Sequence, residues 1–192
     1  MTTILALDNL LFLFINHLPH PFWSESLALI LSGVNGSSIL LWILLGGWLL
    51  WREENKNHQF IAPFITTAVT SLLVTDVLLK PFIERVRPSP MMGAWVMIPI
   101  DRSFSFPSGH ATMAFALATV LAAQEPKFRR WFYGLAVLVA LSRVYLGVHY
   151  PSDVIFGAFL GWGIGQVSLY LFSLGLAARK PRPRRSGKRR NR

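Results

Sequence analysis

Five stretches of this sequence, roughly 26–51, 60–79, 109–124, 131–149 and 154–178, are apolar for about as long as a helix needs to cross a bilayer. Apart from 80–108, the loops between them are short and polar. A soluble domain of 192 residues could bury one core, but it has no use for so many such runs. The sequence therefore predicts an all-α fold: an integral membrane helical bundle of five to six transmembrane helices. Composition agrees, with 53% of residues hydrophobic, 15% charged and a mean hydropathy of +0.44. The first run contains "SGVNGSS" at 32–38, which weakens or bends a helix. Ahead of it, "TILALDNLLFLFINHL" (3–18) has helical periodicity interrupted by Asp8, Asn9 and Asn16. It reads as an N-terminal interfacial helix, with a sixth crossing as the alternative.

Charge orients the bundle. Of 19 Lys and Arg, nine lie in the tail "RKPRPRRSGKRRNR", 179–192, and five more are Arg52, Lys56, Lys127, Arg129 and Arg130. If the C-terminus is cytoplasmic, alternating spans place all fourteen on the cytoplasmic side, as the positive-inside rule asks. Trp51 and Trp131, beside basic residues at span ends, suit aromatic belts, while Trp42, Trp48 and Trp162 lie deeper. The first Lys or Arg is Arg52, so a cleaved secretory signal is not expected. The absence of cysteine excludes disulfides, thiolate catalysis and thiolate metal sites. The expected organisation is a membrane domain over 1–178 and a disordered basic cytoplasmic tail over 179–192. Topology explains the tail's charge, which suits anionic lipids, and no nucleic-acid partner is expected.

The remaining five cations, Lys80, Arg85, Arg87, Arg102 and Arg143, fall on or near the opposite face, where topology gives no reason for them. Three clusters converge there. In "KPFIERVRP" (80–88), Lys80 and Arg87 lie about two turns apart and face one way if the helix persists. Asp76 and Glu84 are each placed to pair with Lys80. Alone, these charges also read as interfacial snorkelling.

In "FSFPSGHATMAF" (104–115), Pro107 and Ser108 mark a helix start with Ser108 as N-cap. Gly109 admits a ligand close to the backbone, where free N–H groups favour an anion, and His110 sits in the first turn. Alone, this is also ordinary turn chemistry. In "SRVYLGVHYPSD" (142–153), Arg143 lies near a span end and Pro151 starts the next helix. That puts His149 at the junction and Asp153 in the following first turn, where a carboxylate can hold one imidazole nitrogen and leave the other for a substrate. A structural His–Asp tie between helices is the plainer alternative. Arg85 and Arg102 read as surface charge, with headgroup attraction as the alternative. The apolar loop 89–106 reads as a lid or entry wall. Together the clusters offer cations, a helix N-terminus, two imidazoles and an orienting carboxylate, an inventory suited to phosphoryl transfer.

Lys80-x6-Arg87-Pro88, Pro107-Ser108-Gly109-His110 and Ser142-Arg143-x5-His149-x3-Asp153 resemble, in order and spacing, the three signature motifs of the type 2 phosphatidic acid phosphatase and vanadium haloperoxidase superfamily. The chain's shortness and membrane character point to the lipid phosphatase branch, which includes undecaprenyl pyrophosphate and phosphatidylglycerophosphate phosphatases. The resemblance implies His149 as the nucleophile forming a phosphohistidine, Asp153 as its orienting partner, and His110 as general acid and then base. Lys80, Arg87, Ser108, Gly109 and Arg143 would bind the phosphoryl oxygens. It implies no cofactor and no metal, since the cations supply the positive charge. The implied substrate is a phospholipid or polyprenyl lipid phosphate. The implied setting is a bacterial inner (plasma) membrane, multi-pass, with the site on the periplasmic, extracytoplasmic face. A phosphotransferase using the same site, and a non-enzymatic anion-binding membrane protein, are the rival readings.

Overall fold

The computed structural model describes residues 3–32, 37–52, 61–99 and 102–179. The α-helices among them are α1 (Thr3–Asn16), α2 (Phe22–Ser32), α3 (Ser37–Arg52), α4 (Ile61–Leu72), α5 (Lys80–Ile83), α6 (Gly109–Gln124), α7 (Arg129–Tyr145) and α8 (Pro151–Arg179). A π-helical stretch, Leu73–Leu79, joins α4 to α5, so Ile61–Ile83 runs as one apolar segment of 23 residues. Pro151–Gly175 is a second segment of membrane length. The apolar run expected over 26–51 is instead divided between α2 and α3, on either side of residues outside the description. The segment expected over 60–79 extends through Lys80 to Ile83. Residues 180–192 of the expected tail lie outside the described residues.

At the centre stands α6. Its Ala111, Ala114, Ala116 and Ala118 are wholly buried, and the short side chains let neighbouring helices come close. On α8, Gly157, Gly161 and Gly165 recur every four residues and lie against α6. A Cβ on Gly161 would come within 2.0 Å of the Thr112 carbonyl oxygen, and one on Gly165 within 2.7 Å of Thr119 Cβ. The core then fills with Trp42 and Leu49 from α3, Leu117 and Leu121 from α6, and Phe132, Ala136 and Val139 from α7. Outward-facing positions are apolar too: Leu10, Phe14, Phe159 and Leu171 are exposed, as a lipid-facing surface requires. Trp42 is buried in the core, whereas Trp51 and Trp131 are exposed near helix ends.

A second apolar cluster, including Phe12 of α1, Ala111, Val144, Tyr150 and Val154, supports the polar end of the bundle. Backbone bonds join the segments above it. Ser108 N–H donates to the Asp153 carbonyl at 3.1 Å, Ser105 N–H to the Arg85 carbonyl at 2.7 Å, and Met97 N–H to the Leu146 carbonyl at 3.2 Å. Gly147 has φ of 78° and packs so closely on Trp95 that a Cβ would meet its carbonyl oxygen at 2.3 Å. The Trp95 segment is fixed to α1 as well, because Asn16 accepts from Trp95 N–H at 2.8 Å and donates to the Trp95 carbonyl at 2.9 Å. This part of the 89–106 loop is therefore a tethered wall.

Candidate active site

Pro151 ends the turn after α7 and begins α8, which sets Asp153 one helical turn beyond His149. Asp153 Oδ2 faces His149 Nδ1 at 3.4 Å and also accepts from Tyr150 N–H at 2.9 Å and from the Ser105 hydroxyl. His149 Nε2 faces Arg87 Nη1 at 3.0 Å. A guanidinium can only donate, so Nε2 carries the lone pair and the ring proton sits on Nδ1 toward the carboxylate. Burial lowers the His149 pKa from its ordinary 6.5 to about 4. The Asp153 hydrogen bond opposes that fall, and the charges of Arg87 and Arg143 add to it. The ring is thus neutral at physiological pH, the state a nitrogen nucleophile needs.

Ser108 caps α6, its hydroxyl accepting from Ala111 N–H at 3.4 Å, which aims the helix N-terminus at this region. Gly109 follows at the first helical position, and a Cβ there would only graze the Asp76 carboxylate and the Thr75 hydroxyl at 3.6 Å. His110, in the first turn, lies within electrostatic reach of Arg143, His149, Lys80 and Arg87. Lys80 is buried and donates to Asp76 at 2.5 Å and to Ser103 Oγ at 3.4 Å. Arg87 donates to Ser103 Oγ at 3.0 Å, to the Ser103 carbonyl at 2.9 Å and to the Val148 carbonyl at 2.9 Å. Arg143 bonds the Ser32 hydroxyl and, at 3.3 Å, the Ser32 carbonyl at the end of α2.

The structure therefore gathers Lys80, Arg87, Ser108, Gly109, His110, Arg143, His149 and Asp153 at one end of the bundle, by a route that differs from the expected one. Lys80 and Arg87 do not share a continuous helix. The helix stops at Ile83, Glu84 adopts left-handed φ of 51°, and the two cations meet through Ser103 on another segment. Asp76, and not the exposed Glu84, takes Lys80. Arg85 is no surface charge: it donates to Asp153 Oδ1 at 2.6 Å and to Asp8 Oδ2 at 2.6 Å, with its guanidinium 4.0 Å from the Tyr150 ring centroid. Arg102 is exposed. Sequence reasoning also passed over Ser32, Ser103 and Ser105. Only the polar residues inside the otherwise apolar 89–106 loop hinted at the last two.

The chain is similar to known phosphatases over most of its length. The chain is 31% identical over 189 residues to the lipid A 4'-phosphatase of Bacteroides thetaiotaomicron, covering 90% of this chain and 80% of that protein. It is 40% identical over 153 residues to phosphatidylglycerophosphatase B of Bacillus subtilis, covering 72% of this chain and 70% of that one. The crystal structure of a transmembrane PAP2-type phosphatidylglycerolphosphate phosphatase from Bacillus subtilis superposes with a TM-score of 0.66 at 26% identity, over 96% of this chain and 90% of that one. The sequence pattern of the PAP2 superfamily matches residues 60–175, from the start of α4 through most of α8 and across all three clusters, and this integral membrane helical bundle belongs to that superfamily.

Proposed function

We propose that this membrane lipid phosphatase uses His149 as its nucleophile, Asp153 as the partner of the imidazole, and His110 as the proton donor and acceptor. The carrying observation is that His149 presents its Nε2 lone pair to Arg87 while Nδ1 faces Asp153. A phosphoryl group entering between Nε2 and the guanidinium would meet the nucleophile and its charge stabiliser together. Nε2 forms the N–P bond as the bond from phosphorus to the lipid oxygen breaks, and His110 gives that oxygen its proton. Water then attacks phosphorus and yields a proton to His110, and the P–N bond breaks to release inorganic phosphate. Lys80, Arg87 and Arg143, with Ser108 and the Gly109 amide, stabilise the charge on the non-bridging oxygens. No step calls on a metal ion.

The substrate reading is a lipid monophosphate or diphosphate, with undecaprenyl pyrophosphate and phosphatidylglycerophosphate foremost. Lipid A is open on the sequence as well, and the similarity to a lipid A phosphatase supports keeping it in the group to be tested. The distribution of basic residues supports a site on the extracytoplasmic face of the plasma membrane, with the basic C-terminal sequence cytoplasmic and in contact with anionic lipid. The test is phosphate release from these lipids and phosphatidic acid, with and without EDTA, by the purified protein and its His149→Ala variant. The wild type should release phosphate from at least one lipid regardless of chelator, and the variant should not. Undiminished release by the variant overturns the assignment.

A further inference from the structure

Asp8 belongs to none of the three clusters, yet α1 carries it into the site. Its Oδ1 accepts from Ser152 N–H at 2.9 Å, and its Oδ2 accepts from Ser152 Oγ at 2.5 Å and from Arg85 Nη2 at 2.6 Å. The other arm of the same guanidinium donates to Ser152 Oγ and to Asp153 Oδ1, each at 2.6 Å. Asp8 and Asp153 are almost fully buried, and the Arg85 side chain is only one-fifth exposed. An exposed ion pair would be exchangeable with water, but this one sits behind the carboxylate that orients the nucleophile.

We propose that Asp8 and Arg85 are a positioning pair for phosphoryl transfer, through which the N-terminal helix fixes Asp153 and balances its charge. The proposal rests on the reading of His149 and Asp153 above. Arg85 occupies Oδ1, so only Oδ2 is left for the His149 ring, and the carboxylate cannot rotate. Asp8 neutralises Arg85, so the negative charge of Asp153 remains available to the imidazolium-like ring that forms when phosphorus is attached. The bonds that hold the pair run to Ser152 and Asp153, so it acts on the chemical step rather than on capture of the phosphate.

The variants are Asp8→Asn, which keeps the shape and removes the charge, Arg85→Met, and the double variant. Each is assayed for kcat and KM on the best lipid of the panel and for inhibition by inorganic phosphate. Each single change should lower kcat about ten- to a hundredfold with KM and phosphate inhibition within about twofold, and the double variant should be no slower than the worse single one, because both act through one carboxylate. A second readout needs no turnover: the titration of His149 followed by NMR of ¹⁵N-labelled histidine. Arg87, Arg143, His110 and Asp153 face that ring, and all stay in place. Arg85→Met removes a positive charge behind Asp153 and should raise the His149 pKa from its low value. An unchanged kcat, multiplicative losses in the double variant, or an unmoved His149 titration overturns the pairing. If the wild type itself releases no phosphate, the lipid phosphatase reading fails, while the titration still decides the link from Arg85 to His149.

Discussion

At one end of this bundle Lys80, Arg87, Arg143, Asp8, Asp153 and His149 are all less than a tenth exposed, whereas two to three turns further along α6 the neighbours are Leu117, Ala118 and Leu121, with Trp42 and Val139 around them. Both regions are buried, and different forces hold them. The charged end depends on pairing, since an unpaired buried charge costs several kcal/mol. The waist depends on close approach: Gly165 of α8 meets Ala116 and Thr119 of α6 with no room for a methyl group. Substitutions at the first region should disable chemistry in a folded protein. Substitutions at the second should lower stability and leave the chemistry of the surviving molecules alone.

The harshest break of this contrast is His149→Ala, which should cut turnover by about 10⁴-fold or more while circular dichroism stays helical. Asp153→Asn keeps the shape and loses the charge behind the ring. It should cost roughly 10³- to 10⁴-fold in kcat, by analogy with an orienting aspartate in a catalytic triad. In the waist, Gly165→Ala would bring a methyl within 2.7 Å of Thr119 Cβ and 2.9 Å of the Ala116 carbonyl oxygen and should remove about 1–3 kcal/mol, read as a lower thermal midpoint in micelles with kcat per folded molecule unchanged. Acid probes the boundary between the regions. His149 is held neutral in the fold, with its pKa lowered from 6.5 to about 4, so its contribution is fully present above about pH 6.5 and is lost as pH falls toward 4. The thermal midpoint should drop across that window, and His149→Ala should flatten the drop. Smallest of all, saturating EDTA should leave the rate unchanged, because cations of the chain supply the charge.

What the sequence disclosed followed the same division. Lys80, Arg87, His110, Arg143, His149 and Asp153 stood out as one candidate cluster because they are residue types that phosphoryl transfer would use, and the structure gathers them at one end of the bundle. Their supports were not, because a support is defined by its contact. Nothing local ties Arg85 to Asp8, 77 positions away, so Arg85 read as surface charge. Lys80 and Arg87 looked like two points on one helix because the left-handed turn at Glu84 has no glycine or asparagine to announce it. Gly157, Gly161 and Gly165 were in plain view, but a glycine row names no partner until the facing helix is known. Within 26–51, "SGVNGSS" signalled a weak helix without fixing Ser32 as the last described residue of α2.

The most direct measurement is chemical trapping of the intermediate. Wild-type protein mixed with lipid substrate labelled with ³²P in the scissile phosphate is quenched in alkali within the first turnover and digested, and the labelled peptide is sequenced. The label should sit on His149, survive alkali, disappear in acid, and be absent from His149→Ala. Label on any other residue, or rapid turnover by the wild type with label never reaching His149 at any quench time, would contradict His149 as the nucleophile.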